Sequence, residues 1–149
     1  MNKKYQLLEN DTIQINGQIL YRIQALQDIP GVVKKGEFGG YIASEENLSH
    51  EGECWVGNEA LVFGDAQVYG NAQIRDNAWI FGDAKVYDNA RVYGYARVYD
   101  NVWVGGDMKV GGKIELGGDI ILMGQFKLHS KEIQEIKTKG PVYVGGIEL

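Results

Sequence analysis

Proline and cysteine are scarce in this chain and its net charge is negative; the cysteine count and the charge each exclude a class of protein or structure. Two prolines and a single cysteine occur among 149 residues, so an internal disulfide is excluded and a cytosolic setting is compatible with the thiol content. The formal net charge of −5 leaves no general excess of lysine and arginine for phosphates, which disfavours a non-specific nucleic-acid binder. Because no long apolar run and no secretory leader stand out, we expect a cytoplasmic protein without membrane association.

Glycine, by contrast, is abundant and recurs within a repeat of six residues. Thirteen such units run without insertion from Glu53 to Ser130, with an aliphatic residue at the fourth place, alanine at the second place of seven units, and junctions rich in Gly, Asp and Asn. Because a strand alternates its side chains, places 2 and 4 should face inward together. Gly, Asp and Asn tolerate the left-handed backbone angles of a corner. The repeat therefore predicts a parallel β-helix.

If three units close one turn, residues 18 apart lie over one another at about 4.8 Å. We therefore predict an all-β protein in three parts. Residues 1–46 form an N-terminal β-hairpin cap, residues 47–130 form a hexapeptide-repeat β-helix of about four to five coils, and residues 131–149 form a short C-terminal cap. The hairpin is indicated by Asn16-Gly17 between two runs of strand-forming residues. Residues 131–139 are expected to be a short helix or an extended excursion.

The repeat changes character along the chain. Place 2 is alanine from Ala60 to Ala96 and then becomes Val, Met, Ile or Phe, while place 5 changes from Tyr, Phe and Arg to Gly105, Gly111 and Gly117. We interpret both changes as one architectural transition in which the C-terminal coils widen or meet a cap. Cys54 stands at place 2, which predicts a small buried side chain.

The run from Val68 to Ile74, VYGNAQI, resembles the hexapeptide-repeat proteins that form left-handed β-helices. In this chain Tyr, Phe or Arg follows the aliphatic residue where that family often has Gly. Many members of the family are trimeric acyltransferases that use a histidine base, with acyl-CoA between neighbouring prisms. The resemblance thus implies a left-handed β-helix and a homotrimer, with acyl-CoA as the ligand of an alternative, enzymatic function.

A narrower resemblance covers residues 19 to 64. It is carried by the segments LYRIQA (20–25), GGYI (39–42), NLS (47–49) and GECWV (52–56), which are similar to the opening of bacterial YdcK-like proteins. Proteins of this kind are also similar to products of phages and other mobile elements. The resemblance implies the fold and a phage-type origin, and it names no activity.

Few residues offer catalytic chemistry. General-base catalysis needs a histidine within reach of the acceptor, and the chain has only His50 and His129. His50, with Glu51 adjacent, is the better-placed candidate, but a surface or capping role is the preferred interpretation of both. Asp65 and Asp83 would stack at one corner, where Asp commonly accepts backbone N–H bonds. We therefore expect no metal and no cofactor, and we favour a non-catalytic protein over an enzyme.

The outward places form columns under the 18-residue stacking. One face gathers aromatic and aliphatic side chains of the kinds enriched at interface cores, which predicts homo-oligomerisation; a ladder of strand-stabilising aromatics is the alternative. The predicted oligomer interface consists of Leu61, Phe63, Trp79, Phe81, Arg97 and Tyr99.

A second face carries a basic column on an otherwise acidic protein. Gln73, Arg91, Lys109 and Lys127 stack there, with Arg75, Tyr93 and His129 beside them. Arginine and lysine suit phosphate groups, and a tyrosine face suits a stacked base. The predicted ligand-binding residues are Arg75, Arg91, Tyr93, Lys109 and Lys127. The alternative is a solvated charged face that balances neighbouring aspartates.

Three functions remain open from the sequence. The first is a non-catalytic homo-oligomeric binding or scaffold protein, of the phage origin that the resemblance implies, that sequesters a nucleotide-like anionic small ligand or blocks a host protein. The second is a hexapeptide-class acyltransferase that uses acyl-CoA. The third is a structural module of a phage assembly.

Overall fold

The protein is a left-handed parallel β-helix of about five turns, described from a computed structural model. The structure describes residues 3–139 and, for the backbone, Val142–Val144. One 3₁₀ turn spans Glu45–Asn47. In chain order the strands are β1 Tyr5–Ile15, β2 Gln18–Ala25, β3 Phe38–Ile42, β4 Trp55–Val56, β5 Leu61–Val62, β6 Gln67–Val68, β7 Gln73–Ile74, β8 Trp79–Ile80, β9 Lys85–Val86, β10 Arg91–Val92, β11 Arg97–Val98, β12 Trp103–Val104, β13 Lys109–Gly117, β14 Ile120–Leu122, β15 Lys127–Lys137 and β16 Val142–Val144.

Three faces of stacked strands make the prism. The basic face runs β4-β7-β10-β13-β15, the hairpin face runs β3-β5-β8-β11-β13, and the third face runs β6-β9-β12-β14-β16. Within the repeats the parallel partners are 18 residues apart, as in Arg91↔Lys109 and Trp79↔Arg97. The predicted fold and the three-unit turn are therefore confirmed.

The interior is filled by places 2 and 4 of the repeat. From Cys54 to Leu122 every residue at these places is buried. In the C-terminal coils the larger residues at place 2 surround an apolar cavity of about 360 Å³, which Met108, Leu116, Ile120 and Leu122 help to line. The core is thus narrow where alanine repeats and wider where it does not.

The corners use the left-handed backbone region at place 6 of the repeat. The φ angle lies between 54° and 83° at eleven consecutive corners, which are Asn58, Gly64, Gly70, Asp76, Gly82, Asp88, Gly94, Asp100, Gly106, Gly112 and Gly118. Where the corner is Asp or Asn, its side chain also accepts a backbone N–H of the corner one coil further on. Asp88 Oδ2 accepts from Gly106 N at 3.0 Å, and Asp100 Oδ2 accepts from Gly118 N at 2.8 Å.

This double role predicts a selective loss of stability at Asp88. In Asp88→Ala, alanine must adopt the left-handed backbone region without a side-chain hydrogen bond to support it, which costs about 1 kcal/mol. The same substitution removes the hydrogen bond to Gly106 N, which contributes about 1 kcal/mol. We expect the free energy of unfolding to fall by about 2 kcal/mol in urea denaturation. Asp88→Asn keeps both roles and should change it little, as should Asp65→Ala at an exposed corner outside that backbone region. Equal losses for all three variants would contradict this account of the corner.

The N-terminal hairpin continues the hairpin face rather than standing apart from it. Asn16 and Gly17 have φ angles of 50° and 79°, as a two-residue hairpin turn requires, so the predicted hairpin is confirmed. Strand β2 pairs antiparallel with β3, and β3 pairs in parallel with β5. The parallel stacking of the β-helix therefore begins in β3, with Tyr41↔Leu61, inside the segment predicted to be a cap.

Glycines at place 5 provide room for tyrosines of the preceding coil. A Cβ added to Gly105, Gly111 or Gly117 would lie 2.6, 2.1 or 2.5 Å from the ring of Tyr87, Tyr93 or Tyr99, respectively. Each of these tyrosines precedes its glycine by 18 residues. The change of place 5 from aromatic residues to glycine is thus a packing relation between consecutive coils.

Strand β15 gives the path of the chain after the repeats. Strand β15 pairs with β13 in register from Lys109↔Lys127 and then shifts between Gly112 and Ile114, so that Ile114 pairs with Gln134. Of the two conformations expected for residues 131–139, the extended one is therefore confirmed up to Lys137. The backbone of β16 pairs with β14; the rest of the predicted C-terminal cap lies outside the described residues.

Candidate anion-binding groove and the surrounding faces

The five predicted ligand-binding residues lie together in one groove. The groove has a volume of about 400 Å³, opens to solvent on the basic face, and is lined by Arg75, Asp76, Arg91, Tyr93, Lys109 and Lys127. We call these six residues the basic groove. Strand register places Lys109 directly between Arg91 and Lys127, and Arg75 follows β7, one coil before Arg91. The groove therefore presents one cation per coil over four successive coils.

The four cations of the basic groove lack anionic partners. Between residues 3 and 139, no ion pair or side-chain hydrogen bond involves Arg75, Arg91, Lys109 or Lys127. Some cations elsewhere are paired, since Arg22 contacts Asp11 at 3.0 Å and Lys3 contacts Glu45 at 3.0 Å. Exposed lysines such as Lys35 and Lys113 likewise have no ion pair among the described residues, so what distinguishes the groove is the stacking of its cations. Like charges on directly opposed strand positions repel. An anion bound in the groove would relieve that repulsion.

The acidic and amide groups beside these cations are occupied by the backbone. Asp76 Oδ2 accepts from Gly94 N at 2.9 Å, so this carboxylate holds the corner. Gln73 precedes Arg91 in the same column, but it is 9% exposed and its Nε2 donates to the Glu53 carbonyl at 2.7 Å. Gln73 thus does not line the groove, and the free donors are those of the cations.

Tyr93 supplies an aromatic surface at the centre of the groove. Its ring lies over Gly111 and 6.4 Å from the imidazole of His129, with an angle of 28° between the two planes. Arg75 occupies the place above Tyr93 in the same column. His129, which the sequence places beside the basic column, is exposed and lies next to Tyr93. Together these groups can meet a planar ring and the anionic groups attached to it.

The predicted oligomer interface is only partly accessible. Leu61 and Phe63 are 4% and 5% exposed, because Leu20 and Tyr41 of the N-terminal strands pack against them. The expectation that these two residues lie on an outer surface is therefore wrong. Trp79, Phe81 and Tyr99 are half-buried, and Arg97 is exposed with its guanidinium 4.4 Å from the Trp79 ring centroid. Burial, followed by the nearby Glu135 carboxylate, raises the pKa of Tyr99 to about 12.

Sequence reasoning missed a second aromatic surface, on the third face. Tyr69 and Tyr87 stack with ring centroids 5.3 Å apart, and Trp103 meets Tyr87 edge-on at 6.4 Å. Tyr69, Trp103 and Met123 are between 36% and 40% exposed. The 18-residue columns contain the signal that identifies this surface, since the same rule stacks Tyr69 on Tyr87. Its exposure makes it a further candidate for contact between subunits.

His50, the candidate base, is used to hold the N-terminus in place. Its Nδ1 accepts the backbone N–H of Lys4 at 3.1 Å, and its Nε2 lies 2.7 Å from Glu45 Oε1. In the tautomer that this arrangement requires, Nε2 carries the proton and donates it to Glu45. The ring also stacks on Tyr5 at 4.2 Å. No lone pair of His50 remains for a substrate hydroxyl, so the geometry favours the capping role.

Lys4 and Tyr5 fill the N-terminal end of the prism around Cys54. Lys4 Nζ is buried and donates to the Cys54 carbonyl at 2.7 Å, while the Tyr5 hydroxyl donates to the Leu48 carbonyl at 2.6 Å. Burial lowers the pKa of Lys4 and raises the pKa of Tyr5 and of the Cys54 thiol. Cys54 is fully buried, as predicted for place 2, and its Sγ accepts a hydrogen bond from Lys4 Nζ at 3.2 Å.

Other classes of site receive no support from the described residues. No three His, Cys, Asp or Glu side chains within residues 3–139 are grouped so as to hold a metal ion. The same part of the chain, with residues 142–144, includes no helix with the length and apolarity to cross a bilayer. Comparison of the sequence with protein-family models and with curated proteins finds no match.

Proposed function

We propose that this protein is a non-catalytic binding protein whose basic groove takes a nucleotide-like anionic small ligand. The observation that carries the proposal is the set of four unpaired cations, one per coil, beside the Tyr93 ring. Arginine donates to phosphate through two parallel N–H groups, lysine acts as a point charge, and an aromatic face accepts a base by stacking. The phosphate groups of such a ligand would thus be bound by the arginines and lysines, and its base by the Tyr93 ring.

The wider setting is part of the same proposal. The hexapeptide and YdcK-like resemblances support a cytoplasmic homotrimer of phage origin that sequesters its ligand or blocks a host protein. The acyltransferase alternative needs a free base, and the engagement of both His50 nitrogens argues against that residue. A structural module of a phage assembly remains the third possibility; no contact in the described chain favours it.

Calorimetric titration of the intact chain tests ligand binding. We expect AMP, ATP and acetyl-CoA to bind through their phosphates and adenosine to bind far more weakly. Arg91→Ala should weaken AMP about tenfold or more, since a charge-assisted hydrogen bond is lost, and Tyr93→Ala should weaken it comparably through lost stacking. Lys35→Ala, an exposed cation outside the groove, is the matched control. Adenosine binding as tightly as AMP, or equal losses in all three variants, would refute the groove as the site.

Light scattering tests the oligomer. We expect a mass above that of one chain. We expect Trp79→Lys combined with Phe81→Glu to give a monomer, because both side chains are only half-buried and keep an accessible surface at the edge of the hairpin. Circular dichroism of the variant checks that the β-helix is intact. If that double variant keeps its mass, the hairpin face is not the interface, and Tyr87→Lys with Trp103→Glu then tests the third face.

A further inference from the structure

The basic groove is longer than one phosphate group needs. Its outer cations, Arg75 and Lys127, belong to coils three steps apart, which corresponds to roughly 14 Å along the prism axis at the interstrand spacing. Charge-assisted N–H···O bonds are only about 2.8 Å long. A phosphate between two adjacent coils therefore engages two cations of the column and leaves the others unneutralised.

Resting on the proposed function, we propose that the ligand is a short oligonucleotide, a di- or trinucleotide with at least two phosphates laid along the prism axis. The cations recur at every coil without an intervening carboxylate that is free to pair with them, since Asp76 is bonded to Gly94. A ligand with phosphates at intervals matches such a column. A single phosphate matches only one step of it.

Tyr93 indicates that the ligand carries a base as well as phosphates. Its ring is held over Gly111, the position at which any side chain would displace it, and its centroid lies 6.4 Å from that of the His129 ring. Stacking on an aromatic ring tolerates every base, because each base has a π-face. The groove therefore selects for a phosphate chain bearing a ring, with little demand on which base it is.

The charge outside the groove limits the length of the ligand. The chain as a whole has a net charge of −5, and the cations that line the groove end at Arg75 on one side and at Lys127 on the other. A long nucleic acid would continue past these cations over an acidic protein, where phosphates are repelled. A ligand of two or three nucleotides fits the column and avoids that repulsion.

The test compares probes that separate phosphate number from base. Titration calorimetry of the intact chain with 5′-phosphorylated diadenylate, AMP, ATP and tripolyphosphate is run at about 50 and about 200 mM salt. We expect the dinucleotide to bind about tenfold or more tighter than AMP, with a salt dependence about twice as steep because twice as many phosphates are neutralised. An oligoadenylate of about twenty nucleotides should have a dissociation constant per groove no lower than that of the dinucleotide.

Two variants assign the contacts. Lys109→Ala should weaken the dinucleotide and reduce the slope of log Kd against log salt by about one, while Tyr93→Leu should weaken it about tenfold and leave tripolyphosphate unchanged. A dinucleotide no tighter than AMP or ATP overturns this inference but leaves the proposed function standing. Tripolyphosphate binding as tightly as the dinucleotide, or much tighter binding of the long oligonucleotide, also overturns it. If no anionic probe binds, the proposed function fails as well.

Discussion

Gly40→Ala is expected to loosen the whole N-terminal segment from the prism. A Cβ at Gly40 would lie 2.3 Å from the Ala60 carbonyl oxygen and 3.0 Å from Val56 Cγ1. That carbonyl accepts the Tyr41 N–H at 2.9 Å, so the bond that docks β3 on β5 must lengthen. We expect the free energy of unfolding to fall by about 2–3 kcal/mol, the range of overpacked cores, as measured by chemical denaturation.

The loss should appear first in the hairpin, because the hairpin reaches the prism through β3. Hydrogen exchange of the amides in β2 and β3 should accelerate more than that of β8 to β12, and the uncovered edge of β5 should promote association. Gly57→Ala is the matched control, since its Cβ would meet the Trp55 ring at 3.5 Å, an ordinary contact. Equal stability of the two variants would mean that β3 tolerates a side chain at this position.

The repeat made the prism predictable from sequence, because each unit contains the residue types that its own strand and corner require. An aliphatic fourth place, a small second place and a corner residue suited to a left-handed backbone recur together, so local preference and global stacking agree. Once the turn contains three units, every outward residue is assigned to a column by arithmetic. The basic groove was predictable for this reason: Arg91, Lys109 and Lys127 share a column, and Tyr93 neighbours it.

Contacts made by non-repeated segments were not predictable in the same way. Nothing in the spacing of residues 5–25 indicates that Leu20 would fold back over Leu61 and Phe63, because that packing depends on the bend of a hairpin. The same holds for His50, whose neighbours in sequence include Glu51, whereas its partners in space are Lys4, Tyr5 and Glu45. Long-range contacts between segments of different character leave no periodic signal.

The stability of the fold does not explain why the cations of the basic groove are placed together. Corner carboxylates such as Asp76, Asp88 and Asp100 are each engaged by a backbone N–H, and the hairpin cation Arg22 has two carboxylate partners. Exposed lysines such as Lys35 and Lys113 also have no ion pair among the described residues, but in the basic groove three such cations, Arg91, Lys109 and Lys127, stand in direct strand register. Residues whose arrangement lowers the stability of the folded state are expected at functional sites. The cost of the groove can be measured as a change in the free energy of unfolding when one of its cations is replaced.

Lys109→Glu should therefore stabilise the free protein while it abolishes binding. The new carboxylate would lie between Arg91 and Lys127 in the strand register, so two repulsive neighbours become attractive ones. For exposed pairs this is worth about 0.2–1 kcal/mol, visible as a small rise in the unfolding midpoint at low salt that shrinks at high salt. Affinity for an anionic ligand should fall about 100-fold or more, since a cationic contact is lost and a repulsive charge replaces it.

Lys35→Glu changes the net charge of the chain equally from an exposed position outside the groove, so it separates local from general electrostatics. It should leave the affinity for AMP nearly unchanged and bring no comparable rise in stability. A Lys109→Glu variant that is less stable than the parent at low salt would mean that the column is not under electrostatic strain. The gain in stability follows from the strand register whether or not the groove binds a ligand, so the loss of affinity is the measurement that decides between a merely solvated charged face and a binding site.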